Sequence, residues 1–137
     1  MPEGVFVDTG FFLALVNTRD EYHERAAEYS RRPWKKLLTT EAVLTEVANA
    51  LSAVQWRAIA AALVEEVRQG PRFTVVTVST ELFIEALGLY SSRDDKSWSL
   101  TDCIAFVVMR QRGLTDASLS TRISRKAGFR PLLRGSE

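Results

Sequence analysis

The sequence predicts a three-layer α/β/α fold with a central, mostly parallel sheet of about five strands. Short runs of strand-forming residues alternate along the chain with longer stretches whose apolar residues recur at helical spacing. Strands separated by helices pair in parallel through crossover connections, because tight hairpins join only antiparallel neighbours. The 137 residues, 46% of them hydrophobic, are sufficient for one domain with its own core. We therefore predict a single domain over residues 1–134 and a short tail over 135–137.

The first half of the chain is predicted to contain two strands and four helices. In order, these are a strand over 4–8, a helix from 11 to 16, a helix over 22–32, a strand over 37–39, and helices over 40–55 and 56–69. Thr18 and Glu21 have the spacing of a capping box ahead of the second helix, and Pro33 ends that helix. Gly70 and Pro71 end the last one.

The second half is predicted to contain three strands and three helices. In order, these are a strand over 73–78, a helix up to 90, a polar loop over 91–97, a helix over 99–112, a weak strand over 117–120, a short basic helix, and an edge strand over 131–133. Ser79 and Ser99 are the predicted N-caps of the first two helices, because a serine hydroxyl accepts a free backbone N–H there. Gly113 is the natural C-cap of the second helix.

Composition argues against several classes of protein and site. No apolar run reaches 18 residues, so we expect no membrane span. No secretion signal is recognisable, and the one cysteine, Cys103, fits a reducing compartment, so a cytoplasmic location is expected. One cysteine and one histidine, His23, do not favour a Cys/His zinc site. Any metal ion bound by this chain is therefore expected to have oxygen ligands.

Three carboxylates are the candidate functional groups. Asp8 ends the first buried strand, where a lone charge is costly unless a metal ion, a helix N-terminus or an arginine compensates it. Glu46 interrupts an otherwise apolar helix, and Asp102 opens another one three residues after Ser99. Each also has a simpler interpretation: Glu46 as a half-exposed helix residue, and Asp102 as the second member of a capping box.

A hard divalent cation would make the convergence of these three acids tolerable, since carboxylates gathered without a cation repel one another and retain protons. Oxygen-only ligands select Mg²⁺ or Mn²⁺, and such an ion can activate water for attack on a phosphodiester. The sequence offers no glycine-rich phosphate loop and no Ser/His/Asp set as a competing mechanism. The single histidine, His23, lies on a predicted helix and is expected at the surface.

Four motifs of the sequence resemble those of a known family, the PIN domain, and within it the small bacterial VapC-type toxins. The motifs are Val-Asp-Thr-Gly at 7–10, Thr-Glu-Val-Ala-Asn at 45–49, Trp-Ser-Leu-Thr-Asp-Cys at 98–103 and Ala-Gly-Phe at 127–129. The resemblance implies a parallel-sheet α/β/α fold and Mg²⁺- or Mn²⁺-dependent endoribonuclease activity. It also implies a homodimer and, for toxin members, an antitoxin protein that blocks the site.

The resemblance assigns roles residue by residue. By motif, the metal-binding and catalytic acids are Asp8, Glu46 and Asp102, and the supporting polar groups are Thr9, Asn49 and Thr101. The family's usual fourth acid is replaced here by Thr121, and its His-Phe pair by Ile123-Ser124. A threonine hydroxyl is a poor ligand for a hard cation, so one metal ion is favoured over two. Two further acids, Asp94 and Asp95, lie in a polar loop that is more typical of a solvated turn.

Charge distribution is consistent with an RNA partner. From Arg110 onward the chain has seven basic residues against two acidic ones, and within this segment Arg122, Arg125 and Lys126 are the expected contacts to an RNA backbone. A solvated surface with uneven charge would give the same pattern.

Two other functions stay open on the sequence alone. Thr121 leaves open a PIN-like domain with weakened or lost catalysis that serves as an RNA-binding or assembly module. A metal-dependent phosphatase or DNA nuclease is the other possibility, because no residue separates RNA from DNA.

Overall fold

The protein is described by a computed structural model over residues 4–33, 36–114 and 118–119. Within these residues the strands are β1 (Gly4–Val7), β2 (Lys36–Thr40), β3 (Phe73–Val76) and β4 (Ser118–Leu119). The helices are α1 (Thr9–Val16), α2 (His23–Ser30), α3 (Glu41–Ala50), α4 (Val54–Gln69), α5 (Thr80–Ser92) and α6 (Leu100–Gln111). None of these helices is long and apolar enough to cross a membrane.

The sheet is parallel throughout the described residues, in the order β3-β2-β1-β4. This confirms the predicted α/β class with crossover helices. Four of the predicted strands are present. The predicted strand at 131–133, the basic helix before it and the tail at 135–137 lie outside the described residues.

Both faces of the sheet are covered. Val5, Phe6 and Val7 are consecutive in β1, so their side chains alternate between faces, yet each is 0% exposed. In α6, every residue from Cys103 to Met109 is buried, so this helix is surrounded by protein on all sides. A central strand and a central helix therefore form the core against which the other helices pack.

The carboxyl end of β1 is the switch point of the sheet. The chain leaves β1 to build β2 and β3 on one side, and returns later to add β4 on the other. In open parallel sheets, ligands bind in the crevice beyond the strand ends at such a point. The buried hydroxyl of Thr39 donates to the backbone carbonyl of Val7 at 2.8 Å and fixes this end of the strand. Asp8 follows immediately.

The predicted ends of one helix and one strand are corrected. The helix predicted over 40–55 ends at Ala50, because the hydroxyl of Ser52 folds back onto the carbonyls of Ala48 and Asn49 and satisfies the last turn. The strand predicted to reach residue 78 ends at Val76.

The capping box predicted from Thr18 and Glu21 is wrong. Helix α2 begins after Tyr22, which makes no side-chain capping bond. Instead the Asp20 carboxylate accepts the backbone N–H of Tyr22 at 2.8 Å. Aspartate side chains commonly form this turn with the backbone two residues further along the chain.

The caps predicted at Ser79 and Ser99 are confirmed. Ser79 accepts the backbone N–H of Leu82 at 3.1 Å at the start of α5. Ser99 does the same for Asp102 at 3.0 Å at the start of α6. Gly113 follows the end of α6 with φ of 71°, a conformation that favours glycine. Helix α5 continues to Ser92, so the polar loop after it is shorter than predicted.

We expect the substitution Thr39→Val to lower the free energy of unfolding by about 1–3 kcal/mol, because it removes the donor from a buried carbonyl while keeping the side-chain shape. Chemical denaturation measures the change. Thr45→Val is the matched control: its exposed hydroxyl bonds only within its own helix, and the expected change is within about 0.5 kcal/mol. Equal effects in the two variants would contradict the role of the Thr39 bond.

Candidate active site

The three acids predicted from sequence line one small pocket at the carboxyl end of β1. Its walls come from α1, α3 and α6 together with the residue after β1. The lining residues are Asp8, Thr9, Val43, Glu46, Thr101, Asp102 and Ala105. The cavity volume is about 20 Å³, enough for one water-sized group and too small for a nucleotide. The pocket thus brings together segments that are more than 30 residues apart in sequence.

Asp8 is held by the helix that follows it. Its backbone is extended and its carboxylate accepts the N–H of Phe11 at 3.2 Å, which makes Asp8 the N-cap of α1. A carboxylate in this position is stabilised by the positive end of the helix dipole. Helix α1 therefore supplies one of the compensations that a charge at the end of a buried strand requires.

Glu46 reaches the pocket from the middle of α3. It is half-buried, and its carboxylate accepts the hydroxyl proton of Thr9 at 2.6 Å, a short charge-assisted hydrogen bond across 37 residues of sequence. Helix α3 itself starts at Thr40, whose hydroxyl accepts the N–H of Val43 at 3.1 Å. The bond to Thr9 connects the start of α1 to the middle of α3 at the site.

Asp102 is fixed by a complete capping box. Its carboxylate accepts the backbone N–H of Ser99 at 2.9 Å, while the Ser99 hydroxyl accepts the N–H of Asp102. The residue before the cap, Trp98, is almost fully buried and packs edge-on against Phe106 with ring centroids 5.0 Å apart. The aromatic pair anchors the first turn of α6 and, with it, the direction of Asp102.

The polar side chains of the pocket fit a hard cation in their chemistry. Every polar side-chain atom of its lining residues is a carboxylate or hydroxyl oxygen, the ligand type of Mg²⁺ and Mn²⁺. Across the part of the chain that the structure describes, however, no three His, Cys, Asp or Glu side chains form a finished ligand set. Glu46 is engaged by Thr9, and Asp102 by the backbone of Ser99. The acids thus already accept hydrogen bonds from the chain itself.

The predicted supporting residues have different positions. Thr9 and Thr101 line the pocket. Asn49 does not line it and is exposed near the end of α3. Thr121, Arg122, Arg125 and Lys126 lie outside the described residues. In the loop before α6, Asp95 pairs with Arg93 at 3.4 Å and does not line the pocket.

Two apolar residues of the pocket were not among the candidates. Val43 and Ala105 form its non-polar wall. The only signal in the sequence was their membership of the buried runs of α3 and α6. A low-polarity wall strengthens electrostatic interactions of the carboxylates next to it.

Larger cavities lie elsewhere in the part of the chain that the structure describes. A mainly apolar pocket of about 310 Å³ lies between α1, α4 and the amino-terminal part of β3. Phe12, Leu63 and Phe73 are among its lining residues, and Glu66 is its only acidic one. The small pocket is the candidate site because three acids converge there.

Cys103 follows Asp102 and is fully buried. Burial raises the pKa of its thiol, and the neighbouring Asp102 carboxylate raises it further. The thiol is therefore neutral at physiological pH and is a packing group rather than a nucleophile.

Comparison with known proteins gives consistent matches. The family model described as the PIN domain matches residues 5–128. The 23S rRNA-specific endonuclease VapC20 of Mycobacterium tuberculosis, from strains CDC 1551 and H37Rv, is 29% identical over 127 residues, covering 91% of this chain and 95% of the relative.

A solved structure agrees. The crystal structure of Mycobacterium tuberculosis VapC20, described as a sarcin-ricin loop cleaving toxin, superimposes with a TM-score of 0.82 at 27% identity. The superposition covers 91% of this chain and 95% of VapC20.

We expect the thiol of Cys103 to react with a thiol reagent such as DTNB at least about tenfold more slowly in the native protein than in denaturant, because it is buried and its pKa is raised. Absorbance of the released thionitrobenzoate at mildly alkaline pH measures both rates. Reaction of the native protein at the denatured rate would show that the start of α6 is open to solvent.

Proposed function

The chain belongs to the PIN domain family and is an endoribonuclease of the VapC toxin type, and we propose that Asp8, Glu46 and Asp102 carry its reaction. One observation supports this most directly: these three acids, from three separate segments, line a single pocket at the switch point of the sheet. Nothing in the packing of the core requires three carboxylates to share that place. A functional requirement explains it.

The proposed ligands of a divalent cation, Mg²⁺ or Mn²⁺, are the carboxylates of Asp8, Glu46 and Asp102. When bound, such an ion would polarise the scissile phosphate and lower the pKa of a water molecule. The chain's own contribution is to hold the three acids in fixed directions. Thr9 orients Glu46 through its hydroxyl, and Ser99 orients Asp102 through its backbone N–H.

RNA is proposed to lie across the mouth of the pocket. The cavity admits one water-sized group, so a nucleotide stays outside and only a phosphate oxygen can point inward. The amino-terminal ends of α1 and α6 meet at this opening and provide partial positive charge toward a phosphate. Arg122, Arg125 and Lys126 are the proposed contacts to the rest of the backbone, from the basic carboxyl-terminal segment.

The substrate and partners follow from the relatives. VapC20 is named as specific for 23S rRNA and as cleaving the sarcin-ricin loop, so a ribosomal RNA stem-loop is the proposed substrate class for this chain. We further propose an antitoxin protein that covers the pocket, association as a homodimer, and a cytoplasmic location, where ribosomal RNA is found.

We expect Asp8→Asn, Glu46→Gln and Asp102→Asn each to lower the rate of RNA cleavage at least about 100-fold in the presence of Mg²⁺ or Mn²⁺, because each removes a charged ligand. Gel analysis of a labelled stem-loop measures the rate. Glu65→Gln is the matched control, since Glu65 is an exposed acid of α4 remote from the pocket, and its rate should equal that of the wild type.

The same assay separates the enzyme from a binding module. Cleavage by the wild type that survives all three substitutions would refute the proposed site. A wild type that is inert with every divalent ion, while Thr121→Asp cleaves, would support the binding module instead.

We expect Ser99→Ala and Ser79→Ala to reduce stability similarly, by about 1 kcal/mol each, because both remove an N-cap hydroxyl. Only Ser99→Ala should also weaken Mn²⁺ binding, by about 10-fold, since only that cap shares a capping box with a proposed ligand. Calorimetric titration with Mn²⁺, alongside thermal unfolding, separates the two effects. Equal Mn²⁺ affinity in both variants would show that the cap of α6 does not influence metal binding at the site.

A further inference from the structure

Arg93 lies against the indole ring of Trp98. It is the C-cap residue of α5, and its guanidinium carbon is 5.1 Å from the centroid of the ring. A cation is attracted to an aromatic face within about 6 Å of the ring centroid, and tryptophan offers the strongest such face. The turn after Arg93 is closed by its own carbonyl, which accepts the N–H of Lys96 at 3.0 Å. Arg93 thus joins the end of α5 to the residue that precedes the cap of α6.

The indole N–H does not account for a tryptophan at position 98. Trp98 is 6% exposed, and its Nε1 is buried without a hydrogen-bond partner among the residues that the structure describes. A buried donor without an acceptor costs free energy, and a phenylalanine would avoid that cost. The ring itself makes two contacts, one with Phe106 at 5.0 Å between centroids and one with Arg93. The position therefore uses the large aromatic surface of the indole rather than its hydrogen bond.

Trp98 is joined directly to the capping box that orients Asp102. The next residue, Ser99, donates its backbone N–H to the Asp102 carboxylate at 2.9 Å and accepts the N–H of Asp102 through its hydroxyl at 3.0 Å. The N–H of Ser99 belongs to the planar peptide unit that it shares with Trp98, so a rotation of Trp98 would turn this donor away from the carboxylate. The contacts that hold the indole ring therefore also hold the hydrogen bond that directs Asp102.

We propose that Arg93 is a positioning residue for Asp102, acting through the ring of Trp98 rather than on the RNA or the metal ion. This inference rests on the proposed function, in which Asp102 is a ligand. The backbone of Arg93 is set by the end of α5, a helix that packs against α6. Arg93 also pairs with Asp95 at 3.4 Å, but the two side chains are 40% and 61% exposed, and such a surface pair contributes little. The contact with the ring is therefore the one that carries the role.

Arg32, just after α2, provides a matched control. Its guanidinium carbon lies 4.1 Å from the centroid of the Tyr29 ring, and it pairs with Glu28 at 3.1 Å. Its side chain is 39% exposed, against 40% for Arg93, and it does not line the pocket of the three acids. Arg32→Met and Arg93→Met therefore remove the same kinds of contact from the surface. Thermal unfolding should show similar, small losses of stability in both variants.

Two measurements on the full chain test the role of Arg93. Without metal, NMR hydrogen exchange of the Ser99 amide reports its bond to the Asp102 carboxylate. We expect Arg93→Met to speed this exchange about 2–5-fold, the factor that corresponds to one surface cation–π contact. Calorimetric titration should show a loss of Mn²⁺ affinity by the same factor. Arg93→Lys keeps a cation and should recover most of both effects, while Arg32→Met should match the wild type in both.

Kinetics and a reference variant distinguish the possible failures. Where the wild type binds Mn²⁺ through Asp102, unchanged Ser99 exchange or unchanged Mn²⁺ affinity in Arg93→Met overturns the proposal, as does an equal change in Arg32→Met. A higher KM for RNA with unchanged Mn²⁺ affinity also overturns it, by identifying Arg93 as a contact to the substrate. Equal Mn²⁺ affinity in the wild type and Asp102→Asn would instead refute the proposed metal site, and Ser99 exchange would still decide whether Arg93 orients Asp102.

Discussion

The structure depends on the charged residue that directly follows a fully buried strand. Val7 is completely buried and Asp8 follows it without any intervening loop. A carboxylate at that border needs compensation, and the chain supplies it by starting α1 at once, so that the helix N-terminus faces the charge. The bond from Thr39 to the carbonyl of Val7 ties β2 to the same point. The direction of Asp8 is thus determined by the sheet and by α1 together.

A capped helix start recurs around the pocket, and few residues are therefore needed to build it. Helices α1, α3 and α6 each begin with a side-chain cap, provided by Asp8, Thr40 and Ser99. Capping bonds set the first turn of a helix, and the acids lie either at the cap or within two turns of it. Local hydrogen bonds that stabilise helix starts therefore also direct the carboxylates. In the proposed site, stability and function would therefore use the same atoms.

The sequence predicted the elements whose signals are local and strong. The β-branched run of β3, the caps at Ser79 and Ser99, and the C-cap at Gly113 need no knowledge of distant residues. The convergence of Asp8 and Asp102 was predicted from strand ends and motif order, and the pocket contains both.

The predictions that failed concern helix ends and positions within a motif. No capping box forms from Thr18 and Glu21, and the Asp20 carboxylate instead accepts the N–H of Tyr22 ahead of α2. The hydroxyl of Ser52 ended α3 before residue 55 by taking carbonyls of its last turn. Asn49 shares a motif with Glu46 yet is exposed and does not line the pocket, so membership of a motif does not by itself place a residue at the site. The Thr9–Glu46 bond joins residues 37 apart and has no local signal at all.

The hydrogen bonds of the acids also bear on how strongly the site would bind a cation. In the proposed site each acid already accepts a hydrogen bond from its own chain, so part of its interaction energy is satisfied in the free protein. Three carboxylates against one divalent ion leave a single excess negative charge; a fourth acid, where this chain has Thr121, would leave two. Fewer charges mean weaker attraction for the ion but also less repulsion among the acids without it. In the proposed site, a pocket of this composition would stay assembled without the ion, at the cost of a lower affinity for it.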